Sequence, residues 1–585
     1  MAQAMSGGGA VRPPSRGWRL GGLLVLLAVV ADCAGLESAT PSFDIIIRGG
    51  TIHDGSGRPP FVGDIAIRGD RIAFVGPRAP GSARRVIDAR GKAVAPGFIN
   101  MLSWSGETLL VAGRAESELR QGVTLLVMGE GESMGPLTPT MRARLIAQQE
   151  EGLPYAVSWT SLGGYLDHAV ARGVAPNIAS FVGAASVRQM VLGEAAVDPD
   201  AKQLEAMRGI VRDAMREGAM GVASALIYAP GAYAKTPELV ALAAEAGRCG
   251  GIYATHIRSE GDRFLEAVDE ALAIGRAAKV PVELYHLKVG GHANWPKMAK
   301  ALARIDAARK SGVRVTADVY PYIASGTGLD AAMPPWVREG GTDAWIGRLR
   351  DPALRRRIVA EMQAPGDWEN VLRMAGADKA TVAGVRTAAL QPLVGRTLAD
   401  IAAERGISPE EAAIELVIAD HGRVDMVYET MSEANLRQVM ARPFVSVSSD
   451  AAAMSAEGAF LRNRPHPRAY GAFARVLGHY ARDEGLMPLS EAVHRLTGLP
   501  ASVLGLADRG SLRAGYHADI VIFDPTTIAD RATFADPHRY AVGVSDVFVN
   551  GIAALRDGTP TGAASGRVVR GGGSKSGCAP SRSGI

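Results

Sequence analysis

Two histidines close two β-rich words in this sequence. His256 ends GIYATH and His286 ends PVELYH, thirty residues later, which is the length of one strand, a crossover helix and the next strand. In a barrel of parallel strands that spacing aims both imidazoles into one mouth, and paired imidazoles in a mouth are the beginning of a metal site. Either histidine alone has an ordinary reading as a packed or surface residue; their matched placement favours ligation. Catalytic zinc commonly takes three protein ligands and keeps a fourth position open for water. Glu130 follows the apolar run VTLLVM, where a carboxylate has no packing role, and is the candidate third ligand; Glu132 is the alternative, and a solvated acidic loop is the ordinary reading of both. Asp450 closes FVSVSSD, a late strand by its β-branched content, and so reaches the same mouth. A carboxylate there can take a proton from metal-bound water and deliver it to a leaving nitrogen, although an aspartate before a helix also serves as an N-cap. His292, His466, His479 and His494 lie in loop or helix contexts, and of these His466 has a route to the site.

The elements that must position these residues are legible in the chain's rhythm. Helical periodicity alternates with short β-rich runs: helix over 237–248, strand GIYATH, helix over 264–276, strand PVELYH, helix over 298–309, strand VRVTADV. That alternation means parallel strands with crossover helices, and between residues 96 and 505 enough units fit for a (β/α)8 barrel. From Phe43 to about Val94 the words FDIIIRGG, DIAIRGD, RIAFVG and RVIDARGKAVA alternate apolar residues between turn signals, and residues 506–565 repeat that grammar in SLRAGYHADIVIFDP and VSDVFVNG. The two terminal segments, 43–95 and 506–565, are expected to build one small β domain. A polar, Trp- and Arg-rich stretch at 331–404 interrupts the barrel and reads as an insertion over its mouth. Residues 566–585, rich in Gly, Ser and Arg, are expected to be a disordered tail.

Composition excludes several classes. With 585 residues, 47% hydrophobic and 21% charged, the chain can bury a large core. A net charge of +4 without a long basic run gives no electrostatic case for nucleic acid, so a small molecule is the default partner. Three scattered cysteines, Cys33, Cys249 and Cys578, suggest neither a disulfide framework nor a cysteine-only metal site. Arg12, Arg16 and Arg19 precede the apolar run GGLLVLLAVVA, which is short for a bilayer span and reads as a secretion signal within residues 1–34, with an uncleaved anchor as the alternative. Either way the chain is expected to be exported, periplasmic or secreted, and Cys33 could carry a lipid anchor.

Beyond these residues, the words FDIIIRGGTIHDGSG, VAPGFIN, YATHIRSEG, ELYHLKVGG, ADVYPYIASGTGLD, SVSSDAA, RPHPRAYGAFARVLG and LRAGYHADIVIFDP, in that order from about Phe43 to Arg570, resemble the D-aminoacylase branch of the amidohydrolase superfamily. The resemblance implies a zinc-dependent deacylase of N-acyl-D-amino acids on a TIM barrel with a composite β domain. It places His256 and His286 on the tightly bound zinc and Asp450 as the catalytic aspartate. Lys288, Tyr320 and Arg468 fall at positions that bind the substrate carboxylate, a chemistry their side chains suit; Ser325 and Thr327 stand in a related hydroxyl-bearing turn. Where the family has a bridging cysteine this chain reads GEGES, so Glu130 would replace it.

One departure matters. After PGFID such proteins carry His-x-His, whereas PGFINMLSW puts Leu102 and Trp104 at the histidine positions and Asn100 at the aspartate. Neither side chain can replace an imidazole on zinc. One zinc per chain is therefore expected, with Asp450 moving protons alone and Trp104 free to line the acyl pocket. Hydrolysis of a cyclic amide or other C–N bond is a second reading, since fold does not fix substrate, and a catalytically degenerate binding protein is a third; oligomeric state is not legible.

Overall fold

The computed structural model describes residues 43–149, 153–576 and 578. The expected leader, its cleavage sites and Cys33 lie outside the described residues. Eight parallel strands form a closed barrel: β1 (Phe98–Asn100), β2 (Val123–Met128), β3 (Asn177–Ser180, continued by Val182–Gly183), β4 (Gly221–Ala225), β5 (Ile252–His256), β6 (Val282–Leu284), β7 (Val315–Val319) and β8 (Val445–Val447). Each pairs in parallel with the next, and a parallel bridge from Ser103 to Ala451 closes the ring between the loops after β1 and β8. All six residues of VTLLVM in β2 are buried, as expected for a strand covered on both faces.

The crossover helices show why the periodicity was readable. In the helix Phe264–Ala278 the buried residues Phe264, Ala267, Val268, Ala271, Leu272 and Gly275 recur at the spacing of one helical face. The helix Ala201–Arg216 begins with a reciprocal cap: the Asp200 carboxylate accepts from the Gln203 backbone N–H, and the Gln203 side chain accepts from that of Asp200. Among the described residues no helix is long and apolar enough to cross a membrane.

Both ends of the chain build one nine-stranded sheet. Phe43–Ile52, Phe61–Arg68, Arg71–Gly76, Ala83–Asp88 and Ala93–Pro96 come from the N-terminal side, and Ile520–Phe523, Val544–Val549, Ile552–Arg556 and Thr559–Pro560 from the C-terminal side. The seam is the antiparallel pairing of Ile520–Phe523 with Ala93–Pro96.

Over the barrel mouth the excursion between β7 and β8 is wider than 331–404. It leaves at the strand Ser325–Gly328 and returns through Asp425–Tyr428, which pairs antiparallel with both Ser325–Gly328 and Ala380–Gly384. It encloses its own apolar core, including Leu329, Trp345, Ile358, Val382, Ile414 and Tyr428.

Two expectations are corrected. The segment from Gly566 is not a free tail: Gly566 N–H donates to the Val174 carbonyl, Ile178 N–H to Arg567 and Val569 N–H to Ile178, so the chain runs beside β3 as far as Arg570. A Gly- and Arg-rich composition reads as disorder only while no strand edge is available to bond it. Further on, Cys578 forms a disulfide with Cys249, at the end of the helix Thr236–Arg248; sparse cysteines far apart in sequence gave no sign that the fold brings them together.

Candidate metal centre

β5 ends at His256, and His286 and Glu130 lie two residues beyond the ends of β6 and β2. Their ligand atoms converge: His256 Nδ1 to His286 Nε2 is 3.0 Å, His286 Nε2 to Glu130 Oε1 is 3.2 Å, and His256 Nδ1 to Glu130 Oε1 is 3.3 Å. A tetrahedral zinc with bonds of about 2.0–2.1 Å needs ligand atoms about 3.3 Å apart, so this buried triangle fits the ion. Burial alone would raise the Glu130 carboxyl, but hydrogen bonds from the two imidazoles and their charge outweigh it and hold the group down at about 2. Glu132 points elsewhere: its half-exposed carboxylate accepts from Gln189 Nε2 at 2.9 Å.

Behind the triangle lies Glu260, four residues past His256 in the word YATHIRSEG, a position with no periodicity to mark it in the sequence. Its Oε1 is 3.1 Å from His286 Nδ1 and its Oε2 is 3.9 Å from His256 Nε2, so one carboxylate faces the outer nitrogen of both rings. At 3.1 Å the carboxylate can accept from the outer nitrogen of His286 and leave its inner nitrogen free for a metal, whereas at 3.9 Å it acts on His256 through charge alone. Lys288 Nζ sits 2.7 Å from Glu260 Oε1 and 2.9 Å from His286 Nδ1. Despite its burial, the Glu260 carboxyl is held well below the usual carboxylate range by Lys288 and the two imidazoles. Glu369, from the insertion, reaches down to accept from Ser259 Oγ and the Glu260 backbone N–H. Asp318 accepts from the His286 backbone N–H at 2.9 Å and from Ser448 Oγ at 2.6 Å, bracing a backbone that His286 holds at φ +36°.

Asp450 occupies another left-handed position, φ +48°, at the head of the β8 loop. Both of its oxygens are engaged: the Trp104 indole N–H donates to Oδ1 at 3.0 Å and Arg468 Nη1 to Oδ2 at 2.7 Å. Tyr320 lies beneath, with the Arg468 guanidinium 4.4 Å and the Lys288 ammonium 5.7 Å from its ring centre. The three residues expected at the substrate carboxylate are thus gathered around one aromatic ring, but Lys288 and Arg468 each already hold an internal carboxylate. His466 is not at the metal: Nε2 meets the Ala324 carbonyl and Nδ1 accepts from the Arg468 N–H, and burial keeps the ring neutral. Tyr228, also not foreseen, packs its ring on His256 and hydrogen-bonds Thr327 Oγ1 at 2.6 Å; burial and the nearby Glu130 keep its phenol protonated.

Where a first-strand pair of histidines would stand, Leu102 is buried and Trp104 faces the mouth. Asn100 donates to Glu118 Oε1 at 3.0 Å and to Ser449 Oγ at 2.7 Å. Burial pushes the Glu118 carboxyl up to about 8, against hydrogen bonds from Ser449 and Asn100. A neutral hydrogen-bonded cluster therefore fills that flank.

The triangle, Glu260, Lys288, Tyr320, Asp450 and Arg468 line one cavity of about 590 Å³ at the carboxyl ends of the strands, roofed by the insertion, the place where barrels of this kind carry their chemistry. Comparison with known proteins gives the same picture. D-aminoacylase of Alcaligenes xylosoxydans xylosoxydans is 34% identical over 534 residues, covering 91% of this chain and 99% of its own. N-acyl-D-glutamate deacylase of the same organism is 34% identical over 530 residues, covering 90% and 96%. The crystal structure of N-acyl-D-glutamate deacylase from Bordetella bronchiseptica, complexed with zinc and a phosphonate that mimics the tetrahedral intermediate, superposes with a TM-score of 0.73 at 32% identity, over 91% of this chain and all of that one. A family model described as amidohydrolase family matches residues 85–552, and the chain belongs to the amidohydrolase family.

Proposed function

We propose that this protein hydrolyses N-acyl-D-amino acids to a free D-amino acid and a carboxylate, using one zinc held by Glu130, His256 and His286. The convergence of those three ligand atoms on a tetrahedral spacing carries the reading, and relatives acting on N-acyl-D-glutamate and N-acyl-D-aspartate supply the substrate class. Zinc bound there supplies a Lewis acid that polarises the amide carbonyl and makes a water acidic.

The remaining steps belong to the chain's own residues. Asp450 takes the proton from the attacking water at one carboxylate oxygen and delivers it to the departing nitrogen. Trp104 and Arg468 hold that carboxylate in place, each donating to one of its oxygens. Tyr228, a protonated phenol beside His256, is placed to donate to oxygen as negative charge develops. Tyr320 and the Arg468 edge orient the substrate carboxylate; Lys288, spent on Glu260, adds positive potential and steadies His286.

We also propose that the enzyme works outside the cytoplasm. The Cys249–Cys578 disulfide suits an oxidising compartment, and the basic, then apolar, N-terminus suits export. Metal analysis combined with a panel of N-acetyl-D- and L-amino acids, for wild type and His286→Ala, tests the reading. About one zinc per chain and D-selective turnover lost in His286→Ala is the expected result; protein that takes up zinc yet cleaves none of the panel rejects it.

A further inference from the structure

The central cavity does not end at the metal triangle. On the side formed by the loops after β1, β2 and β8 it adjoins a second hollow of about 560 Å³, and Val111, Leu153, Ala459 and Phe460 line both. Trp104, after β1, lines the central cavity with them. Its indole nitrogen is used on Asp450, so the rest of the ring offers only carbon surface, and the residue remains 45% exposed. Val111 is 37% exposed, and Leu461 beside Phe460 is 51% exposed. At the outer end the charges neutralise each other, with Arg114 Nη2 2.6 Å from Glu457 Oε1. An open apolar wall that begins at a reacting centre and ends at a paired charge asks for a long apolar ligand.

We propose that this groove binds the acyl chain and that the enzyme prefers N-acyl-D-amino acids with extended linear acyl groups over N-acetyl ones. The inference rests on the deacylase reading above and deepens it. Lys288 and Tyr320 lie beyond β6 and β7 and Arg468 beyond β8, whereas Trp104, Val111 and Leu153 of the apolar wall lie beyond β1 and β2. A substrate whose amide carbonyl sits at the triangle and whose carboxylate faces Tyr320 must send its acyl carbon the opposite way, along Trp104 toward Val111 and Phe460. Replacement of a first-strand histidine by Trp104 thus exchanges a ligand position for the first stretch of this wall.

The test uses the zinc-loaded enzyme and a ladder of N-acetyl-, N-hexanoyl- and N-decanoyl-D-leucine. A methylene leaving water is worth up to about a factor of four, and in a groove open on one side about two- to three-fold; kcat/KM is expected to climb about 100-fold or more from acetyl to decanoyl, chiefly through KM. Val111→Lys and Phe460→Ser, both at positions that reach solvent, are expected to cut the decanoyl-to-acetyl ratio at least tenfold. Turnover of the acetyl substrate with no gain from longer chains overturns this inference and leaves the deacylase reading standing. Should no member be cleaved, the deacylase reading fails, and calorimetric binding of N-decanoyl-D-leucine decides the groove by itself: at least tenfold weaker binding in Val111→Lys supports it, equal binding in both proteins overturns it.

Discussion

Gly131 follows the metal-binding candidate Glu130 directly and has φ +65°; a Cβ added there would lie 2.6 Å from the Ala225 Cβ and 3.1 Å from the Ala225 backbone nitrogen on β4. Gly131→Ala therefore meets two penalties. The left-handed backbone costs an alanine about 1–2 kcal/mol, and the contact with a fixed strand adds about 1–3 kcal/mol of overpacking. Ala225 is held in register with His256 on β5, so moving it would disturb a second ligand. The cheapest relief is a shift of the loop that carries Glu130, which takes one ligand off a triangle that fits zinc to a few tenths of an ångström. If about 3 kcal/mol of strain is relieved by unseating that ligand, zinc affinity falls about 100-fold. Chelator competition on Gly131→Ala, with Gly505→Ala as control, measures this; Gly505 has φ +66° but nothing within 4 Å of the added Cβ, so it meets the first penalty alone. Zinc affinity within threefold of wild type in Gly131→Ala would refute the reasoning.

Other outcomes follow from the same site. Glu260→Gln, which removes the charge facing both outer imidazole nitrogens, should weaken zinc about 10- to 100-fold in the same competition assay. In the metal-free protein Asp450 and Glu260 outweigh burial and Lys288 and raise His286 to about 10; zinc uptake at pH 8 should therefore eject about one proton from it, read with an indicator dye in weak buffer. Because Glu118 is raised to about 8, the fold favours its neutral form: stability is complete below the unfolded value near 4.5 and falls by at most about 1.4 kcal/mol per pH unit up to about 8. Glu118→Gln should lack that fall, seen as a thermal-unfolding gap over wild type that widens from pH 5 to 8. Cys578→Ser opens a disulfide of sequence separation 329 and should cost about 2–5 kcal/mol, while reductant should lower the melting temperature of wild type and leave that of the variant unchanged.

The barrel was legible because its strands are short β-rich runs that alternate with helices carrying one-sided apolar stripes, signals that survive without tertiary context. His256, His286 and Glu130 were legible for a related reason: a polar residue at the end of an apolar strand has nowhere to point except the mouth. Glu260, Asp318 and Glu369 were not: Glu260 and Glu369 sit in loops with no periodicity to betray them, and Asp318 lies within β7, where no strand end marks it. The insertion was placed but too narrowly, because SGTG and DMVY are too short and mixed to read as strands. Lys288 and Arg468 show another limit. Sequence reveals a cation near an anion site; it does not reveal that Glu260 and Asp450 inside the protein compete for it.

The seam of the terminal sheet has a consequence for synthesis. Ala93–Pro96 emerges from the ribosome early, and its partner Ile520–Phe523 follows only after the whole barrel has been made. At about 5–20 residues per second that leaves an apolar strand edge uncovered for roughly tens of seconds. A chain interrupted anywhere before Ile520 is thus an incomplete sheet with an adhesive border and no smaller version of the enzyme, so the terminal strands act as the fastening that is closed last.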